Sequence, residues 1–155
     1  VAITSALQDR PLPIYGDGQQ RRSWLFVDDF CRAIDRLVET GQPGGLYNLP
    51  SPWESTNRDT ARQIVRLLGK PETLITSVPD RPAHDRRYAM DGARMAALGW
   101  RAQTAFDEGL QTTVEWYRGQ AAWWQPLVER LHEDAGHWLN RPAGSRPHPA
   151  ARARR

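Results

Sequence analysis

Four short apolar runs limit what this chain can become: "LPIY" (Leu12 to Tyr15), "SWLFV" (Ser23 to Val27), "LYNL" (Leu46 to Leu49) and "LITSV" (Leu74 to Val78). Each has the length of a strand, and turn residues close most of them, "GDG" at Gly16 to Gly18 being the tightest. Helical spacing lies between them. Phe30, Ala33, Ile34, Leu37 and Val38 recur on one face after Asp28 or Asp29, either of which can cap that helix, and Gly41 to Gly45 stops it. Ser55 or Thr56 caps the next, with Ala61, Ile64, Val65 and Leu68 inward and Gly69 then Pro71 at its end. A short helix from Asp91 to Leu98 precedes "GW", and a long one starts near Phe106 and runs on toward Trp123 and Trp124.

Strands alternating with helices make this an α/β chain. The strands are few and short, so the expected object is a small subdomain rather than a complete doubly wound sheet. With 155 residues, 39% of them hydrophobic, there is apolar material for one modest core. No apolar run reaches the ~20 residues of a membrane span, and a cytoplasmic location is expected. The opening "VAITSALQDR" reads as mid-helix, as though it continued a longer protein. The expected division is a subdomain over residues 1–127, a helical extension over 128–139 and a disordered tail over 140–155, where Pro, Ala, Gly and Arg dominate.

The formal net charge of +3 is misleading. Five arginines and no acids fall between Arg141 and Arg155, and without them the balance turns to −2. The basic character belongs to the tail, so nucleic acid is not the expected partner of the body, although such a tail could bind an anionic surface by itself.

Several kinds of chemistry are missing. "GDGQQR" offers two glycines of a dinucleotide fingerprint but has Arg21 at the third position and leads into a strand. The only lysine, Lys70, has Arg66 rather than a tyrosine four residues before it. "HEDAGH" (His132 to His137) spaces its histidines five apart, which turns the second away from the face a zinc ion would need. Cys31, the only cysteine, lies on an apolar helical face and is expected in the core. No self-contained catalytic apparatus and no metal site emerge.

What remains suits an anion. Tyr15 either closes the core or offers a base a stacking face. Arg22, just past the turn, is either a solvated surface residue or a fork for a phosphate. Asn57 opens a helix, where free N–H groups favour negative charge, or merely flanks its cap. The loop "DRPAHDRRYAMD" (Asp80 to Asp91) gathers Arg81, His84, Arg86 and Arg87, whose charges could also pair with Asp80 and Asp85.

These segments, "LPIYGDGQQRRSWLFVDDFCRAID", "YNLP…ESTN", "DRPAHDRRYAMD" and "LGW…F…GL…TVEWY", occur in an order that resembles the dTDP-glucose 4,6-dehydratases, members of the extended short-chain dehydrogenases. The resemblance runs from Val1 to about Leu127. It implies an α/β fold: the small C-terminal substrate-binding subdomain of an extended short-chain dehydrogenase, without the Rossmann sheet. It implies dTDP-glucose as ligand, with Pro13, Ile14 and Tyr15 at the base, Arg22 and Asn57 on the diphosphate, and Asp80, Arg81, Pro82, Ala83 and His84 around the ribose and phosphates. In the family, hydride passes from sugar C4 to NAD, water leaves across C5 and C6, and the hydride returns at C6. The residues for those steps belong to the family's N-terminal half, so NAD and that half are implied partners of the complete enzyme, and the chain alone is expected to be inactive. A neighbouring UDP-sugar epimerase or dehydratase shares much of the pattern. This chain also departs from it: Ala83 replaces a glycine, Ser23 an aspartate, Arg21 an apolar residue, and "YNLPSPWE" a glycine-containing turn.

Overall fold

The structure, a computed structural model, describes residues 1–139, with side chains as far as residue 131. The expected tail and the side chains of His132 and His137 therefore lie outside the described residues. Two units are present, Val1–Gly119 and one beginning at Gln120.

The first unit runs α1 (Ala2–Leu7), β1 (Leu12–Tyr15), β2 (Arg21–Ser23), α2 (Val27–Thr40), β3 (Glu54–Thr56), α3 (Asn57–Leu68), a 3₁₀ turn (Glu72–Leu74), β4 (Ile75–Val78), α4 (Ala93–Ala97) and α5 (Phe106–Gly119). The second holds α6 (Ala121–Leu139). The long helix expected from Phe106 is thus two helices, broken where Gly119 adds backbone freedom.

β1 pairs with β4 in parallel, Leu12 opposite Ile75 and Tyr15 opposite Val78. β2 pairs with β3 antiparallel, Arg22 opposite Ser55. In β1, Leu12 and Ile14 face inward while Pro13 and Tyr15 face outward, the period of two that a half-covered strand requires. Leu12 and Ile14 join Ala6, Ala61, Ile64 and Val65 in one core cluster. α3 carries the last three because its apolar residues repeat at three and four. Its start is fixed by Thr56, whose Oγ1 accepts from the Asp59 N–H at 3.0 Å. Its end is fixed by Gly69 in the left-handed region (φ +66°), with the Lys70 N–H returning to the Val65 carbonyl.

Three expectations fail here. The strand expected at Ser23 to Val27 sits earlier, at Arg21–Ser23, because Leu25 leaves the ladder to pack beside Ala33, Met95 and Trp100 in a second core cluster. "LYNL" forms no strand. It pairs with neither two-stranded sheet, and the Leu46 carbonyl is taken by a side chain instead, Arg94 donating to it at 2.7 Å. α2 does not bury its apolar face. Ala33 is covered, but Phe30, Ile34 and Cys31 are exposed, and Val38 is 83% exposed. Cys31 is therefore no core residue.

Asp28 and Asp29 stand in the first turn of α2 without capping it. Asp29 is instead fully buried and accepts the Gln103 and Thr104 N–H groups, both at 2.9 Å, together with the Arg32 guanidinium. Its backbone carbonyl accepts the Trp100 indole N–H at 3.2 Å. One residue thus fastens the "GW" segment to α2. Burial works to raise its carboxyl pKa, but the donors outweigh it and leave the value lowered. Among the described residues no helix is long and apolar enough to cross a membrane.

Candidate functional site

β1 and β4 end side by side at Tyr15 and Val78, so the chain leaves both strands at one edge. After β1 it turns through Gly16 to Gly18, both glycines at positive φ, and enters β2. After β4 it enters the loop from Asp80. The Arg21 N–H donates to the Arg86 carbonyl at 2.7 Å, which lays that loop along β2. Sequence-distant cations thereby become neighbours.

Asp80 is the hub of the loop. Its Oδ1 takes His84 Nδ1 at 2.6 Å and the Arg81 N–H at 2.9 Å, and its Oδ2 takes Gln20 Nε2 at 3.3 Å. The hydrogen bond from His84 leads the causes that hold the Asp80 carboxyl below the usual carboxylate range. His84 packs edge-on against the Tyr15 ring, centroids 5.9 Å apart, and its side chain is only 6% exposed. Its Nε2 lies 3.4 Å from Arg22 Nη2. A guanidinium can only donate, so this contact assigns Nε2 as the acceptor and Nδ1, which faces Asp80, as the donor.

Arg22 is held rigidly. Its Nη1 and Nη2 donate to the Asp85 carbonyl at 3.3 and 3.2 Å, Nη1 also donates to the Arg21 carbonyl at 2.7 Å, and its Cζ stands 4.3 Å from the Tyr88 ring centroid. Asp85 in turn accepts the Tyr88 hydroxyl at 2.7 Å, which raises the Tyr88 pKa. None of these contacts neutralises Arg22. The loop's other arginines differ: Arg86 pairs with Asp17 at 3.0 Å, and Arg87 grips Glu54 through both carboxylate oxygens at 2.9 and 3.1 Å. Backbone and Arg86 contacts pull the Asp17 carboxyl below its ordinary value. Among the described residues, neither Arg22 nor Arg81 is in an ion pair.

An open apolar slot of about 290 Å³ adjoins this cluster, lined by Pro13, Ile14, Tyr15, Trp24 and Asn57 among others. Tyr15, 47% exposed, presents a ring to it, whereas most of Ile14 is in the core. A neighbouring groove of about 350 Å³, along Phe26, Phe106 and Tyr117, is lined by no acidic or basic side chain and has nothing to hold an anion.

The start of α3 departs from expectation. Its first N–H groups are not free: those of Asn57 and Arg58 donate to the Gln20 and Gly18 carbonyls at 3.0 and 3.1 Å, and that of Asp59 to Thr56. The glycine turn folds back and caps the helix before any ligand can. Of the expected contacts the Asn57 carboxamide remains there, beside Arg58, whose guanidinium donates to the Asp17 carbonyl and Ser77 Oγ. Arg81, Pro82 and Ala83 form the exposed rim, and Ala83 sits at φ +54°, a left-handed conformation that its methyl group disfavours. Two contributors escaped sequence reasoning. Tyr88 beside a pair of arginines could have suggested ring-on-cation packing, while nothing around Gln20 marks it as buried. Among the described residues, no three His, Cys, Asp or Glu side chains gather as for a metal.

The profile of the family described as GDP-mannose 4,6 dehydratase matches residues 1–113. A probable dTDP-glucose 4,6-dehydratase of Sinorhizobium fredii is 44% identical over 138 residues, covering 84% of this chain and 39% of that protein. The crystal structure of the dTDP-glucose 4,6-dehydratase of Bacillus anthracis in complex with NAD superposes with a TM-score of 0.74 at 42% identity, over 81% of this chain and 40% of that one. That of Streptomyces venezuelae, with NAD bound, gives 0.76 at 38% identity, over 81% of this chain and 39% of that one. The chain therefore spans only about 39% of the length of the relatives it matches.

Proposed function

The chain belongs to the family described as GDP-mannose 4,6 dehydratase, and from that premise we propose that it is the nucleotide-sugar-binding portion of a dTDP-glucose 4,6-dehydratase. The observation that carries the proposal is Arg22: a guanidinium without a counter-ion, immobilised between His84, Tyr88 and a carbonyl, beside a slot with an aromatic wall. The pyrophosphate of dTDP-glucose supplies the missing charge, held by Arg22 and the Asn57 carboxamide, with the exposed Arg81 on the ribose and phosphate side. The base lies in the slot against Pro13 and Tyr15. Asp80, Pro82, Ala83 and His84 form the wall along the ribose and phosphates.

The complete enzyme converts dTDP-glucose to dTDP-4-keto-6-deoxyglucose, and NAD supplies the hydride transfer there. The residues described here do not fit NAD. The Gly16 to Gly18 turn opens into β2 rather than into a helix, and its carbonyls, not its N–H groups, are turned to α3. The chain's share is binding and orientation, and by itself it is inactive. Its partner is an N-terminal, NAD-binding half, and the uncovered apolar stripe of α2 with the 76%-exposed Leu46 is surface that such a half would bury.

Calorimetry decides. The chain joined to a homologous NAD-binding half should bind dTDP and dTDP-glucose, with UDP competing poorly. Equal or better binding of UDP would assign it to a UDP-sugar epimerase or dehydratase, and no binding of either nucleotide ends the proposal.

A further inference from the structure

The strand end at Tyr15 and the loop at Asp80 meet at one side chain that nothing so far assigns. Gln20 is fully buried. Its Nε2 makes two bonds, to the Tyr15 carbonyl and to Asp80 Oδ2, both at 3.3 Å. Its backbone carbonyl accepts the first N–H of α3, from Asn57, at 3.0 Å. Through Asp80 it bears on His84, and through His84 on Arg22. We propose that Gln20 is a positioning residue that keeps Tyr15, the Asp80–His84 pair and the start of α3 in one frame, so that nucleotide affinity depends on it.

The chemistry of the amide explains why this residue type stands here. Both neighbours are acceptors, so the position needs a group with two hydrogens, and a primary amide has two. Turning the amide over would set its oxygen against a carboxylate and a carbonyl, so its orientation is fixed. In that orientation Oε1 is buried with no hydrogen-bond partner among the described residues. A buried acceptor without a partner lowers stability. An isosteric apolar side chain removes that penalty together with two long hydrogen bonds, terms that offset each other, so stability and affinity should move apart when Gln20 is replaced. That separation distinguishes a positioning role from a packing role.

The inference rests on the nucleotide-binding reading, and one readout is independent of it. In the 155-residue chain, Gln20→Met keeps the length of the side chain and deletes the amide. The expected result is a melting temperature unchanged or raised, with dTDP affinity by calorimetry reduced about tenfold, the worth of one charge-assisted hydrogen bond. The imidazole nitrogen spectrum of His84 should move from a fixed Nδ1–H tautomer toward tautomer exchange. A Met variant that keeps both the tautomer and the affinity overturns the proposal, as does affinity lost only in proportion to stability with the tautomer unmoved. If the native chain binds no dTDP but the tautomer still responds, Gln20 holds the pair as argued and the nucleotide reading alone fails. Should the Met variant not fold, the native protein itself answers. A slowly exchanging Gln20 amide pair with cross-peaks to Tyr15 and Asp80 supports the role, and its absence refutes it.

Discussion

Asp29→Asn is the sharpest perturbation of the frame behind this site. The native carboxylate is buried and receives two backbone N–H groups and a guanidinium. An asparagine has one acceptor oxygen and a donor where the other oxygen stood. One N–H, from Gln103 or Thr104, then faces an NH₂ group with no water to turn to. Losing one hydrogen bond to a charged group costs about 1.5–3 kcal/mol, and orphaning a buried donor costs about 1–3 more. Relief from burying a carboxylate returns part of this, which leaves a net loss of about 2–4 kcal/mol. Urea denaturation followed by tryptophan fluorescence measures it directly. The sign with pH follows from the lowered folded pKa. The residue's contribution is complete above the unfolded value and disappears as pH falls through the folded one, below about pH 4. The gap between native protein and D29N should therefore be flat from pH 8 to 6 and close only in acid. A loss under about 0.5 kcal/mol at pH 7, within the range of an ordinary surface substitution, or a gap already narrowing between pH 8 and 6, would refute the assigned hydrogen bonds.

Ala83→Gly should stabilise the loop by about 0.5 kcal/mol in the same assay, since relief of left-handed strain exceeds the added freedom of the unfolded chain; a loss of stability would contradict the strain. Gly16→Ala would bring a methyl carbon to 2.8 Å from Asp80 Oδ2 at φ +56°, so dTDP affinity by calorimetry should fall about tenfold or more. Gly44→Ala, at φ +74° with nothing within 4 Å, is strained without a clash and should leave that affinity alone; equal losses in both would show that strain, not contact, matters. Because the Asp80 carboxyl of the folded protein is held below its ordinary range, it stays ionised at neutral pH and its support for binding is lost only as pH falls through that lowered value. The affinities of the native chain and D80N should therefore stay apart at neutral pH and converge only below about pH 4, and convergence already at pH 6 would implicate another group.

What could be read in advance depended on how local the cause was. β1 has the expected bounds, Leu12–Tyr15, and the cap at Thr56 and the stop at Gly69 were legible because each is set by a few adjacent residues. "LYNL" was misread because an apolar run says that a segment could pair, not that it does: here Leu49 and Tyr47 pack on the second core cluster without joining either sheet. α2 was misread for a related reason. Helical spacing marks which residues share a face, but Phe30, Ile34 and Val38 find nothing to cover them within the first unit. In the site, the residue types were legible and the partners were not. Asp80 and Asp85 turned out to serve His84 and Tyr88, four and three residues on, rather than the arginines beside them, since the loop's backbone path chooses among near neighbours that sequence distance cannot rank.

That allocation of partners bears on how the loop works. Arg86 and Arg87 are spent on acids from two other segments, Asp17 in the turn and Glu54 on β3. Exposed pairs of this kind contribute only about 0–1 kcal/mol each, too little to stabilise the fold but enough to bias a loop already tied by the Arg21 to Arg86 backbone bond. Their effect is to choose which guanidiniums stay unneutralised. Had Asp80 or Asp85 taken Arg22 or Arg81, an incoming pyrophosphate would have had to break an ion pair to bind. With Asp80 turned to His84 and Asp85 to Tyr88, the acids instead orient the groups that hold Arg22 in place. Of the loop's arginines only Arg81 is thereby left outside an ion pair among the described residues, as is Arg22 on β2, and the proposed pyrophosphate contact needs these two cations uncancelled.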